Sequence, residues 1–290
     1  MSGQLAVLTT LYHSSRSLAK YRIANYWRAR LNWEAAGATV FTVESAVDGM
    51  AFTTPEKNSW HLRRRPGVHP WIKEHLVNYG LKRMPSRYTK IAWIDADVLF
   101  EGLDWPDRTC ELLEQTPLIQ MFDQAGWGVE DGSVAFRMAS CVANAHRHGS
   151  IYTPPYYFYN HPGFGWAATR DFFQTTDGLF YRAGSMSGDA IMAAAFGLMA
   201  PPAWFISTSL AYKTWSESAR AAVPGVPGYL AGQFCTHLWH GPVHERRYWE
   251  FDSALAKVNF SPDLDLIVED EQLVCRRRSV NHVFERFGCT

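Results

Sequence analysis

The chain has 290 residues, 47% of them hydrophobic and 19% charged, which is enough to bury a substantial core and excludes a disordered or low-complexity protein. Lys+Arg and Asp+Glu each number 28, so the formal net charge is zero. Bulk charge therefore points to neither a nucleic-acid binder nor a membrane-surface protein, and only local patches remain to be weighed. The five cysteines (Cys110, Cys141, Cys235, Cys275 and Cys289) are odd in number, scattered and free of any C-x-x-C pair, which argues against a disulfide framework or zinc knuckle and for a reducing compartment. The start "MSGQLAVLTTLYHSS" lacks the basic and long apolar regions of a secretory signal, and "AIMAAAFGLMAPPAWFI" is interrupted by Pro201 and Pro202. A cytoplasmic protein without a membrane span is expected.

In chain order, "QLAVLTTLY" reads as a short buried strand and "SLAKYRIANYWRARLNWEAAG" as a helix stopped at Gly37. "ATVFTVES" is a second strand, rich in β-branched residues. "HPWIKEHLVNYGLKRMP" is a proline-bounded helix leading into the strand "KIAWIDADVLF", and "PLIQMFD" is a further strand. This alternation predicts an α/β fold with a mixed, mostly parallel, Rossmann-like sheet flanked by helices. Beyond about residue 125, Gly, Pro and aromatics accumulate and the alternation becomes irregular. "SMSGDAIMAAAFGL" stands out as a helix with Ser187 or Asp189 near its N-cap. After residue 250 the chain turns polar, with "RRR" at Arg276 to Arg278. No internal repeat or linker is evident. The reading is a single domain with two lobes, divided as residues 1–124, 125–250 and a C-terminal tail, 251–290.

Asp95 and Asp97 close an apolar strand. In regular strand geometry both side chains point to one side, at the carboxyl end of the sheet where ligands of open α/β folds gather. Two carboxylates so close repel unless a cation lies between them, and oxygen ligands of this kind suit Mg2+ or Mn2+ bound together with phosphate oxygens. The plainer alternative is that one Asp caps a turn while the other pairs with an arginine.

At these residues the chain resembles glycosyltransferases of the GT-A fold, which hold a nucleotide-sugar diphosphate through a metal on a D-x-D strand. "PWIKEHLVNYGLKRMP" is similar to the W-x-K-E helix of a bacterial and phage branch of these enzymes. "NHPGFGWAATRDFF" resembles their Gly- and aromatic-rich segment, and "HLWHGPVHERRY" their C-terminal His-Gly element. The resemblance implies a metal site of Asp95, Asp97 and His240, with His237 in competition for the third position, and an imidazole ligand favours Mn2+ over Mg2+. It implies a nucleotide-sugar donor, a UDP-sugar in the commonest case. Thr9, Thr10, Tyr12, Arg22, Glu44, Lys73, Asn78 and Asp95 would lie around that donor, with Arg246, Arg247 and Tyr248 near its phosphates. Phe164, Trp166 and the "YYFY" run would stack on donor sugar or acceptor.

Asp189 would be the general base on an acceptor hydroxyl, although Gly188 stands where the family often has an acidic residue. The acceptor stays open. Arg63 to Arg65 and Arg276 to Arg278 would contact phosphates if brought onto one face, so a hydroxylated base in phage DNA is the alternative to a sugar, lipid or protein hydroxyl. A non-catalytic carbohydrate-binding protein is the alternative of a different class. A haloacid-dehalogenase-like phosphatase fits poorly, because Ala193 occupies its second acidic position. A nucleotidyltransferase would need a Gly-rich loop that "TTLYHSSRS" lacks.

Overall fold

The structure is a computed structural model, and it describes residues 5–12, 19–65, 67, 70–149, 160–184, 188–199, 209–241 and 247–287. Of the sequence readings, Ser187, Arg246, Cys289 and the "YYFY" run fall outside these residues.

The chain forms a mixed α/β fold. The first strands are β1 (Leu5–Tyr12), β2 (Thr39–Val47), β3 (Ser59–Arg64), β4 (Lys90–Ile94), β5 (Val98–Phe100) and β6 (Leu118–Gln120). They are followed by β7 (Gln124–Gly128), β8 (Val134–Ser140), β9 (Asn160–His161), β10 (Gly165–Thr169), β11 (Gly228–Tyr229), β12 (Phe234–His237), and the hairpin β13 (Leu266–Glu269) and β14 (Gln272–Cys275). The main sheet has the order β11-β6-β10-β4-β1-β2-β3, parallel throughout except for β10, which runs against both neighbours. β10 and β11 come from beyond residue 125 and complete a sheet whose other strands come from the first 124 residues.

The central strands are apolar on both faces because both faces are covered. In β4, Ile91 and Trp93 enter one core cluster while Ala92 and Ile94 enter the other; Ala6 and Leu8 against Leu5 and Val7 divide β1 the same way. Helix α1 (Ala19–Ala35) covers the second face through Ala29 and Trp33, and α2 (Lys73–Arg83) covers the first through Leu76 and Val77.

The expected strand "KIAWIDADVLF" is broken in two. β4 ends at Ile94, residues 95–97 form a turn closed by Val98 N–H donating to the Asp95 carbonyl (3.2 Å), and β5 leaves for a second sheet of order β5-β12-β7-β8-β9. The D-x-D segment is thus the bridge between two sheets, and strand alternation does not govern where its side chains point.

The strand β3 was not expected, since its charged face reads as loop; it pairs in parallel with β2 from Thr42↔Ser59 to Val47↔Arg64. Residues after 250 carry buried Phe251, Phe260 and Phe284 into the first core cluster. Among the described residues no helix is long and apolar enough to cross a membrane.

Candidate active site

At the carboxyl end of β4 the turn holds two separate clusters. On one side, Asp97 Oδ2 lies 3.0 Å from His240 Nε2 and 3.6 Å from His237 Nε2. One ligand atom from each of these three residues falls within 4.8 Å of the others. Register brings them together: β12 runs antiparallel to β5 with His237 opposite Val98, and Leu238 N–H donates to the Asp97 carbonyl at 2.7 Å. Asn25 of α1 holds the following turn through the Trp239 carbonyl (2.9 Å). Two imidazole nitrogens and a carboxylate oxygen form a donor set suited to a first-row divalent ion such as Mn2+.

On the other side, Lys73 Nζ, at the start of α2, lies 2.5 Å from Asp189 Oδ2 and 3.1 Å from Asp95 Oδ1. Asp189 is the second residue of α6 (Gly188–Ala195); α3 (Trp105–Leu112), α4 (Cys141–His148) and α5 (Arg170–Thr176) precede it. Burial alone would lower the Lys73 ammonium, but Asp189, Asp95 and Glu74 outweigh it and hold the group charged well above the usual lysine range.

The third acid of this cluster, Glu74, is 5% exposed, and its Oε1 has no hydrogen-bond partner among the described residues. Burial, reinforced by Asp189 and Asp95 and opposed by Lys73, pushes its carboxyl up to about 7. Burial likewise raises Asp95 to about 6, against Lys73 and with Asp189 and Asp97 adding to it.

Two glycines make room for these acids. A Cβ on Gly188 would meet Glu74 Oε1 at 2.1 Å, and one on Gly163 would meet Asp189 Oδ2 at 2.8 Å and His161 Cε1 at 3.0 Å. The same segment carries Phe164, held at φ 74°, a conformation that costs a bulky residue about 1–3 kcal/mol. Its carbonyl accepts from Asp95 N–H at 2.8 Å, and its ring lies stacked on His161 at 3.7 Å. The strained residue therefore fixes the turn that carries both aspartates.

The other expected site residues are distributed as follows. Thr9 Oγ1 donates to the Ile94 carbonyl (2.7 Å), tying β1 to β4 just below the turn, and Thr10 beside it is buried. Tyr12 packs edge-on against Trp71 (5.3 Å); burial raises its hydroxyl pKa, while the Arg22 and Lys73 charges oppose this. Both carboxylate oxygens of buried Glu44 accept from the backbone and hydroxyls of Thr53 and Thr54. Asn78 makes two hydrogen bonds to the Leu179 backbone, 2.8 and 2.7 Å, and so anchors that loop. Phe164 and Trp166, expected to stack on donor sugar or acceptor, are 3% and 1% exposed, so their rings are part of the core. Arg247 opens α8 (Tyr248–Lys257), after α7 (Leu210–Ala222), and pairs with Glu250; the Tyr248 side chain lies outside the described residues.

Most residues of the two arginine runs have partners within the chain, and Arg278 is exposed. Arg63 donates to the Val47 carbonyl, Arg64 is buried, Arg65 pairs with Asp270, Arg276 with Glu269 (3.9 Å) and Arg277 with Asp265 (2.6 Å).

Sequence reading missed Glu74 as a site residue although it stands in the quoted helix motif; its position beside Lys73 was the available signal. It also named neither His161, which stands in the quoted Gly- and aromatic-rich segment, nor Trp127, which the packing identifies.

No protein-family model matches the chain, and no curated protein matches it. Among solved structures, it is similar to the catalytic domain of Drosophila beta1,4galactosyltransferase 7 in complex with xylobiose (11% identity, TM-score 0.44, 99% of this chain and 98% of that one). A mutant of the same enzyme with manganese, UDP-Gal and xylobiose gives 11% identity and a TM-score of 0.45 over 98% of both chains. GalNAc-T7 with UDP, GalNAc and Mn2+ gives 11% identity and a TM-score of 0.37 over 82% of this chain and 43% of that one.

Proposed function

We propose that this chain is a metal-dependent glycosyltransferase of the GT-A type, moving a sugar from a nucleotide-diphosphate donor, a UDP-sugar in the first instance, to an acceptor hydroxyl. The observation that carries the reading is the adjacency, across one three-residue turn, of a metal-type triad (Asp97, His237, His240) and a lysine-bridged acid pair (Asp95, Asp189). Transfer from a diphosphate needs both: stabilisation of the leaving group and a base for the incoming hydroxyl.

Asp97, His237 and His240 would hold the ion, with Asp95 assigned to Lys73 in place of the metal. A divalent ion bound there would neutralise charge gathering on the departing diphosphate. Lys73 holds Asp189 through Oδ2, and Oδ1 would face the acceptor. The acceptor oxygen attacks the anomeric carbon, its proton passes to Asp189 Oδ1, and the electron pair of the breaking sugar–oxygen bond goes to the diphosphate, so the anomeric configuration inverts. Tyr12 and Arg22, at the end of β1 and on α1, flank the region in which the nucleotide would lie.

Calorimetric titration with UDP in the presence of Mn2+ and of a chelator tests the donor half. Binding that requires the metal is expected. Absence of nucleoside diphosphate binding under both conditions would sink the reading.

A further inference from the structure

One line of rings leaves the site for solvent. Register sets His237 of β12 opposite Trp127 of β7, and Trp127 opposite Phe136 of β8, so the three form a row across the second sheet. The rings are stacked, His237 on Trp127 at 4.5 Å and 23°, Trp127 on Phe136 at 5.8 Å and 10°. Trp127 is also flanked by Phe164 (5.8 Å) and His161 (6.0 Å), and His161 shares the Gly163 gap with the Asp189 carboxylate. The row therefore begins at the metal-type triad, and His161 beside Trp127 connects it to the acid pair.

It ends in the open. Phe136 is 38% exposed, whereas Trp127 is 8% exposed. Beyond Phe136 the strand has no partner among the described residues, because β9 pairs only with Ala139 and Ser140. A large ring left half in water at the rim of a polar site is a platform for another flat, partly apolar ring.

Charge selects the kind of ring. The β7–β8 turn carries exposed Glu130 and Asp131, and Arg137, next to Phe136, turns to the opposite face and lies over Phe234 at 4.8 Å. An acidic rim repels a phosphate backbone and tolerates a neutral sugar. Phe136 is two ring-stackings from His237, too far to support the reacting sugar and well placed for the next one.

We propose that Phe136 is an acceptor subsite for a carbohydrate of at least two units: one sugar presents its hydroxyl to Asp189, and its neighbour lays its apolar face on Phe136. The assignment rests on the transferase reading and adds the acceptor class to it.

The test uses the full chain with Mg2+ and UDP, adding methyl glycosides of one and of two sugar units, and an oligodeoxynucleotide containing a hydroxymethylated base. Binding is followed by saturation-transfer NMR for the wild type, Phe136→Ala and Phe136→Trp. A disaccharide glycoside is expected to bind with saturation strongest on its second ring. Its affinity should fall at least tenfold in Phe136→Ala and return in Phe136→Trp, with thermal unfolding of both variants as the control for folding. Equal disaccharide affinity in wild type and Phe136→Ala, with UDP binding intact, overturns the subsite and leaves the transferase reading standing. Binding of the oligodeoxynucleotide in place of every glycoside overturns it in favour of a nucleic-acid acceptor. Absence of UDP binding by the wild type in a parallel titration with Mn2+ removes the transferase reading and the acceptor role together.

Discussion

Asp95 and Asp97, one residue apart, serve different partners: Asp95 Oδ1 lies 3.1 Å from Lys73 Nζ, and Asp97 Oδ2 lies 3.0 Å from His240 Nε2. The turn between β4 and β5 gives each carboxylate a different neighbour, and the Asp97 charge still adds to the rise of the Asp95 carboxyl.

The two aspartates should therefore separate on mutation. Asp97→Ala is expected to weaken Mn2+ binding by roughly 100-fold or more, since it removes a ligand of the triad. Asp95→Asn should keep the metal stoichiometry and affinity within a few-fold while depressing transfer. Titration of Mn2+ followed by electron paramagnetic resonance distinguishes them, and an equal loss of metal in both variants would return Asp95 to the metal site.

Lys73 is the cation of an otherwise acidic pocket, and its side chain is 12% exposed. Lys73→Met leaves Asp95, Asp189 and Glu74 without it. A loss of about 3–5 kcal/mol of unfolding free energy is expected near pH 8. Part of that loss should return as the pH is lowered and the three acids take up protons. A variant as stable as the wild type in denaturant melts at high pH would show that the ammonium is not needed to hold the acids together.

Glu74 links the site to pH. Its folded-state pKa of about 7 stands above the unfolded value of 4.5, so the folded chain holds the extra proton between them. Stability from this group is complete below about pH 4.5, and it is lost as the pH rises toward 7. The wild type should therefore lose on the order of 2 kcal/mol across that window relative to Glu74→Gln, which keeps the shape and cannot ionise. Parallel stability curves for the two proteins would place the Glu74 carboxyl in an ordinary environment.

Gly188 is required by contact. Its φ is not in the left-handed region, but an added methyl group would collide with Glu74 Oε1 at 2.1 Å. Gly188→Ala should cost about 1–3 kcal/mol, and most of it should be recovered in the double variant with Glu74→Ala. Additive losses in the cycle would mean that the two positions do not press on each other.

How far these relationships could be read beforehand depends on their range along the chain. β1, β2, α1, α2 and the β4 run were legible because their patterns are local: apolar runs, β-branched residues, a Gly stop and bounding prolines. The strand β3 was not, since "SWHLRR" holds only two large apolar residues and runs into a basic stretch, and it gains its strand identity by pairing with β2.

The sequence by itself determined the α/β class, the presence of an acidic pair at the end of a buried strand, and the residue types a metal or a base would use there. Tertiary structure alone decided their partners. Lys73 meets Asp189 across 116 positions, and His237 reaches Asp97 only through the antiparallel pairing of β12 with β5. It also decided that Arg65 and Arg276 pair with acids of the C-terminal hairpin, and that Phe164 and Trp166 are buried while Phe136 is not. The physical reason is common to all of them. Propensity and periodicity act over a few residues, whereas charge pairing and ring stacking depend on distances that only the packing of whole sheets sets.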